Sequence, residues 1–173
     1  MEGHDRKGWG SCVSIAAAVL ALSAVSAPAA DATNVRLAHN GERFAVARAL
    51  GGAARTLGHP GCQALMDEFA DASGRPLRRT LETLGLSAPE YVGRIFFYDA
   101  PSRLCGTSSL ALTRPESRVI FVCGSRFVRQ MGTDSRHAEA ILIHEMLHSL
   151  GLGENPPSSD YITERVRARC GQR

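Results

Sequence analysis

Two histidines and two glutamates near the end of the sequence have the types and spacing of a metal site. His144 and His148 are four residues apart, so on a helix they lie one turn above each other and can direct two imidazoles at one ion. Glu145 lies about 100° round the helix from His144, where its carboxylate can take a proton from a water bound to that ion. Gly151 permits a turn with positive φ, and this turn brings Glu154 into reach as a third ligand.

These residues form the pattern H-E-x-x-H-x-x-G-x-x-E, which resembles the zincin metallopeptidases. The spacing is that of metzincins, which have a third histidine at the position of Glu154 and a methionine turn after it; here no methionine follows Met146. The string LGLGENPPSS at residues 150–159 is similar to a segment of small secreted bacterial zincin-like proteins. The resemblance implies a small zincin-like domain with Zn²⁺ as cofactor and a peptide or protein as substrate.

The implied activity is that of a secreted zinc-dependent peptidase. Two imidazoles and the carboxylate of Glu154 leave a fourth position on zinc for water. Glu145 would act on this metal-activated water as general base and then pass the proton to the leaving amine. A cell-wall peptide amidase would use the same chemistry. The other class is a non-catalytic, metal-stabilised binding or inhibitor module, but a purely structural site needs no base, so Glu145 favours the enzyme.

Three alternatives concern individual residues of this site. Glu164 could replace Glu154 as third ligand, but it lies about 200° from Ile162 on the predicted terminal helix, on the outward side, so we favour Glu154. The histidine pair could instead be satisfied within the core without a metal. Burying two imidazoles and a carboxylate among apolar neighbours is costly without a partner, and a metal ion is the simplest one. Tyr161 is the nearest phenol that could stabilise an oxyanion, and a packing role suits it equally well.

The N-terminal segment predicts export. Residues 1–30 have a positive start at Arg6 and Lys7, an apolar stretch at 13–25 and small residues around 27–29, as in a secretory signal peptide. The apolar stretch is shorter than the roughly twenty residues of a membrane span, although an uncleaved anchor is the alternative. Residues 31–173 are then expected to form one domain, secreted or periplasmic, monomeric and not bound to the membrane. A net charge of +3 gives no indication of nucleic-acid binding.

Four cysteines follow the predicted signal peptide, and an even number in a secreted chain indicates two disulfides. Four cysteines allow three pairings. We favour Cys105–Cys123, which would brace a predicted hairpin, and Cys62–Cys170, which would tie the terminal helix to the body. The cysteines are widely spaced and lack C-x-x-C, so a structural zinc site is not indicated.

The elements that must position the site form an α+β pattern. Hydrophobic spacing and capping residues predict a series of helices before and after a short sheet. Before the sheet, helices are predicted at 42–57, 61–72 and 76–84, and a single helical turn is predicted after a capping box at Ser87. After the sheet, the predicted helices are a short one at 124–131, the metal helix from Asp134 or Ser135 to Leu150, and a terminal helix that begins at Ser158 or Ser159. Residues 31–40 are predicted to be a loose N-terminal segment.

Three strands are predicted at 94–99, 107–113 and 118–123, and the last two form a hairpin with a four-residue loop. In the zincins that the motif resembles, a sheet edge beside the metal helix holds the substrate as an added strand. The hairpin is the candidate for that edge.

Overall fold

The structure is a computed structural model that describes residues 34–171, so the predicted signal peptide lies outside the described residues. It confirms the α+β class. The helices are α1 Asn40–Leu57, α2 Pro60–Gln63, α3 Leu65–Glu68, α4 Leu77–Leu84, α5 Ala88–Val92, α6 Gly124–Thr133, α7 Ser135–Ser149 and α8 Ser159–Cys170. The strands are β1 Val35–Arg36, β2 Phe96–Asp99, β3 Ala111–Leu112 and β4 Val119–Val122. Across 34–171, every helix is too short or too polar to span a bilayer.

The four strands form one sheet in the order β1-β2-β4-β3. β1, β2 and β4 are parallel, and β3 is an antiparallel edge strand on β4, so the predicted hairpin is confirmed, although its connection at 113–118 is longer than the predicted four-residue loop. β3 is shorter than the predicted strand at 107–113. Arg126 explains the difference, because its guanidinium binds the carbonyl oxygens of Cys105, Gly106 and Ser109 and holds the chain before β3 in an irregular path.

Two predictions about the first half of the chain are wrong. The segment 31–40 is not loose throughout, since Val35–Arg36 pairs with β2 and Val35 is buried. The predicted helix at 61–72 is divided into α2 and α3 and ends at Glu68. After it, the Phe69 carbonyl accepts a hydrogen bond from Leu77, and the Asp71 side chain accepts one from the Ser73 backbone at 2.8 Å, so the chain turns instead of continuing as helix.

Helix α7 is the centre of the molecule and carries both histidines. Its N-cap is Asp134, whose Oδ1 accepts the backbone N–H of His137 at 3.0 Å. The helix packs against α1, α6, α8 and β3, and every residue from 142 to 150 is buried. Small residues on α1 allow the close approach, as at Gly52, where a Cβ would overlap the carboxylate of Glu139. Because α7 is surrounded on several sides, its buried polar side chains have little conformational freedom.

Two disulfides join distant parts of the chain in the pairs favoured above. Cys62–Cys170 links α2 to the end of α8, and Cys105–Cys123 joins the segment before β3 to the residue after β4. On α8, Ile162, Val166 and Cys170 are buried on one stripe. The terminal helix thus packs against α7 and is joined covalently to α2. Two disulfides are consistent with an oxidising environment.

Candidate metal centre

His144 and His148 project from one face of α7 towards each other. Their Nε2 atoms lie 3.0 Å apart, and each residue is only 4% exposed. Helical geometry accounts for the arrangement, because side chains four residues apart lie on consecutive turns of the same face. The two ring nitrogens that could bind an ion therefore converge.

The outer nitrogen of His148 is held by the turn that follows α7. Nδ1 lies 2.8 Å from the carbonyl oxygen of Leu152, which can only accept, so Nδ1 donates its proton there. Gly151 has φ of +114°, as predicted for this turn, and a Cβ there would approach the Cβ of Asp71 to 3.0 Å. Leu152 also forms a β-bridge with Asp71. Because the proton is on Nδ1, the Nε2 atom of His148 has its lone pair directed into the site.

The outer nitrogen of His144 is held by the terminal helix. Its Nδ1 lies 2.9 Å from Oγ1 of Thr163 on α8. Burial, followed by repulsion from the charge that His148 can carry, lowers the pKa of His144 to about 3. His144 is therefore uncharged at physiological pH.

Glu154 provides the carboxylate of the group. Its Oε2 lies 4.0 Å from Nε2 of His148, and its side chain is 41% exposed. Within residues 34–171, this group of three is the one that can hold a metal ion, with its ligand atoms all within 4.8 Å of one another. Atoms bound to one zinc ion at about 2.1 Å are at most about 4.2 Å apart, so a small inward movement of Glu154 would bring all three ligand atoms within reach of one ion. Glu164 is exposed and lies outside the group.

Glu145 lies beside this group and is 7% exposed. Burial and then the negative charge of Glu154 raise the pKa of Glu145 to about 8, while a backbone hydrogen bond from Thr113 opposes the rise. Thr113 directly follows β3, so the carboxylate lies at the end of the edge strand. The geometry therefore brings together an unusually basic carboxylate, a pair of imidazoles and a sheet edge.

Three partners of the site were not found from the sequence. Thr163, Leu152 and Thr113 contact the histidines and Glu145 from three other segments of the chain. No spacing in the sequence relates these three residues to α7. The one available signal was that each has a polar group near the end of a predicted helix or strand. Tyr161 is 50% exposed, and its ring meets that of Phe69 edge-on at 6.4 Å, which is a packing contact.

Two cavities lie away from the metal ligands. One of about 240 Å³ is bounded by α1, the first turns of α7 and the end of α8, and includes His137. The other, of about 620 Å³, lies where β2 and β4 end and α6 begins, and includes Glu42 and Asp99. Neither is lined by His144, His148 or Glu154.

No protein-family model matches this chain, and no curated protein or solved structure is significantly similar to it. What the protein does is therefore inferred from the residues of the site.

Proposed function

We propose that this protein is a secreted zinc-dependent peptidase that hydrolyses peptide bonds. One observation carries the proposal: the Nε2 atoms of two buried histidines converge to 3.0 Å, with the Glu154 carboxylate 4.0 Å from one of them. Buried, perturbed titratable groups are typical of functional sites.

The donor set fits zinc. Two imidazoles and one carboxylate form a combination used by zinc peptidases, which keep one open position, and imidazole nitrogens do not suit magnesium or calcium. The four described cysteines are all in disulfides and offer no competing thiolate site. Bound zinc would supply Lewis acidity, which lowers the pKa of a water molecule and polarises a substrate carbonyl.

Glu145 is the proposed general base. It would accept the proton of the attacking water and deliver it to the departing amine, because a carboxyl group of raised pKa can both take up and release a proton near neutral pH. The backbone N–H of Thr113 donates a hydrogen bond to the Glu145 carboxylate and would restrict its rotation. Any cation between the histidines would favour the ionised form of Glu145, which is the form that accepts the proton.

The edge strand supports a peptide as substrate. β3 is the last strand of the sheet, and within residues 34–171 it pairs with β4 alone. An extended peptide can add to such an edge through its main-chain groups. Thr113 places this edge next to Glu145, so a peptide bound there would pass the base. The two disulfides fit the proposed secretion or export to the periplasm.

A second candidate is a non-catalytic, metal-stabilised binding or inhibitor module. It is favoured by the burial of the site, since both histidines and Glu145 are at most 7% exposed and neither cavity described above opens on them. In that case the metal would contribute to folding and not to turnover.

The test is metal analysis of the purified protein together with digestion of a mixed peptide library. We expect about one zinc per chain, cleavage that a chelator abolishes, and recovery on addition of Zn²⁺. Cross-linked cell-wall peptides added to the panel distinguish an amidase from a general peptidase. A protein with no zinc would contradict the metal centre, and zinc without any cleavage would favour the binding module.

A further inference from the structure

The two histidines differ in the partner of the ring nitrogen that faces away from the site. Nδ1 of His148 lies 2.8 Å from the carbonyl oxygen of Leu152, whereas Nδ1 of His144 lies 2.9 Å from the hydroxyl of Thr163. A carbonyl only accepts a hydrogen bond, but a hydroxyl can donate or accept. When both rings are neutral, the proton of His148 is therefore fixed on Nδ1, while His144 can carry its proton on either nitrogen.

A hydrogen bond between the two Nε2 atoms, which lie 3.0 Å apart, requires a proton on one of them. His148 leaves its Nε2 bare, so His144 must donate from Nε2. A neutral imidazole has one proton, which leaves Nδ1 of His144 bare. The Thr163 hydroxyl then donates to it.

With a metal, both Nε2 atoms must present lone pairs to the ion. The single proton of His144 must then be on Nδ1, which needs an acceptor because the ring is buried. Oγ1 of Thr163 can be that acceptor once its own proton turns away. A threonine in a helix has the carbonyl four residues earlier within reach, and on α8 this residue is Ser159.

We propose that Thr163 is a positioning residue that reverses its hydrogen bond to His144 when the metal binds. The reversal lets this imidazole change tautomer and become a ligand, whereas His148 is in the ligand tautomer from the start. The inference rests on the metal centre proposed above. It adds a specific requirement, namely a group at position 163 that can both donate and accept.

Two substitutions at Thr163 separate this role from packing. Thr163→Val keeps the shape of the side chain but can neither donate nor accept, and Thr163→Ser keeps the hydroxyl. Thr83→Val on α4 is the matched control, because it also removes a helical hydroxyl, one that donates to Arg79 at 2.8 Å. We expect Thr163→Val to weaken Zn²⁺ binding by about 10- to 100-fold, as losses of such outer partners do. Thr163→Ser should restore binding to near the parent value, and Thr83→Val should leave it unchanged.

The experiment measures Zn²⁺ affinity by competition with a chromophoric chelator and histidine tautomers by ¹⁵N NMR, in protein with and without Zn²⁺. In the parent, the proton of His144 should move from Nε2 to Nδ1 on addition of Zn²⁺, and that of His148 should stay on Nδ1. If Thr163→Val binds Zn²⁺ as tightly as the parent, or if the proton of His144 is already on Nδ1 in metal-free protein, the proposed role of Thr163 is wrong. Neither result would contradict the metal centre itself. A parent protein that binds no Zn²⁺ would overturn the metal centre itself, and this inference with it.

Discussion

The Nε2 atoms of His144 and His148 face each other at 3.0 Å across one turn of α7. Each ring is also hydrogen-bonded at Nδ1, His144 to Thr163 and His148 to Leu152. Both imidazoles are thus oriented by hydrogen bonds to the protein itself. The two histidines would therefore lose little conformational entropy on binding an ion, because their rotamers are already restrained.

Removing the histidines should remove the metal. In His144→Ala and His148→Ala, two ligands remain, and tight zinc binding should be lost in each because zinc sites of this kind need three protein ligands. Zinc content after dialysis is the measurement. His59→Ala is the control, because His59 is exposed and outside the group. Full zinc occupancy in the double variant at positions 144 and 148 would show that the metal binds elsewhere.

The two candidate acidic ligands give opposite predictions. Glu154→Ala removes the carboxylate near His148, so zinc affinity should fall by at least about 10-fold, as expected for the loss of a ligand. Glu164→Ala, on the exposed side of α8, should leave affinity within a factor of about two. Isothermal titration of metal-free protein with Zn²⁺ compares them. The reverse order of effects would assign the third ligand to Glu164.

The raised pKa of Glu145 predicts that metal-free protein loses stability as the pH rises from weakly acidic to about 8. With a pKa of about 8 when folded and 4.5 ordinarily, Glu145 retains a proton between these values that the unfolded chain releases. The free energy of unfolding should therefore fall as pH rises from 4.5 to 8, by an amount on the order of 4 kcal/mol. His144 acts in the opposite direction, with stability lost as pH falls from 6.5 towards 3.

Urea unfolding of chelator-treated protein at pH 5, 6.5 and 8 measures this effect. Glu145→Gln cannot titrate, so the fall in its stability between pH 5 and 8 should be absent, and only the opposite contribution of His144 should remain. Glu164→Gln serves as the control, since that side chain is exposed. An equal pH dependence in the parent and Glu145→Gln would contradict the raised pKa.

The long-range disulfide should contribute more stability than the short one. Cys62–Cys170 closes a loop with a sequence separation of 108, and Cys105–Cys123 one of 18. Loop-closure entropy gives about 4–5 kcal/mol for the first and about 3 kcal/mol for the second. Replacing each pair with serine and comparing urea unfolding at one pH tests the order. A larger loss from the Cys105–Cys123 pair would contradict this account.

The sequence was most informative where the regular spacing of a helix determines which residues lie next to each other. Helical periodicity placed His144, Glu145 and His148 together on α7, and the glycine at 151 adopts the positive φ expected of it. The capping box at Ser87 formed for the same reason, because a short local spacing determines both of its hydrogen bonds. Local patterns therefore specified the side chains that would act directly on a metal and its substrate.

Contacts between distant segments could not be predicted in this way. Val35–Arg36 joins the sheet only because β2 presents a parallel partner some sixty residues later in the chain. The segment after α3 is also fixed by a β-bridge between Asp71 and Leu152, which lie far apart in the sequence. Thr163 likewise has no signal of its own, since its role requires α8 to lie against α7. Tertiary packing, and not local propensity, determines each of these features.

Glu145→Gln offers the most direct test of the central claim, because it removes basicity while keeping shape, hydrogen-bonding reach and all three proposed ligands. We predict that the variant binds Zn²⁺ as the parent does and loses peptide hydrolysis by several orders of magnitude, given the role of the base in such sites. The measurement is the rate of peptide cleavage by zinc-loaded parent and variant at equal metal content. Cleavage by Glu145→Gln at the parent's rate would contradict the account.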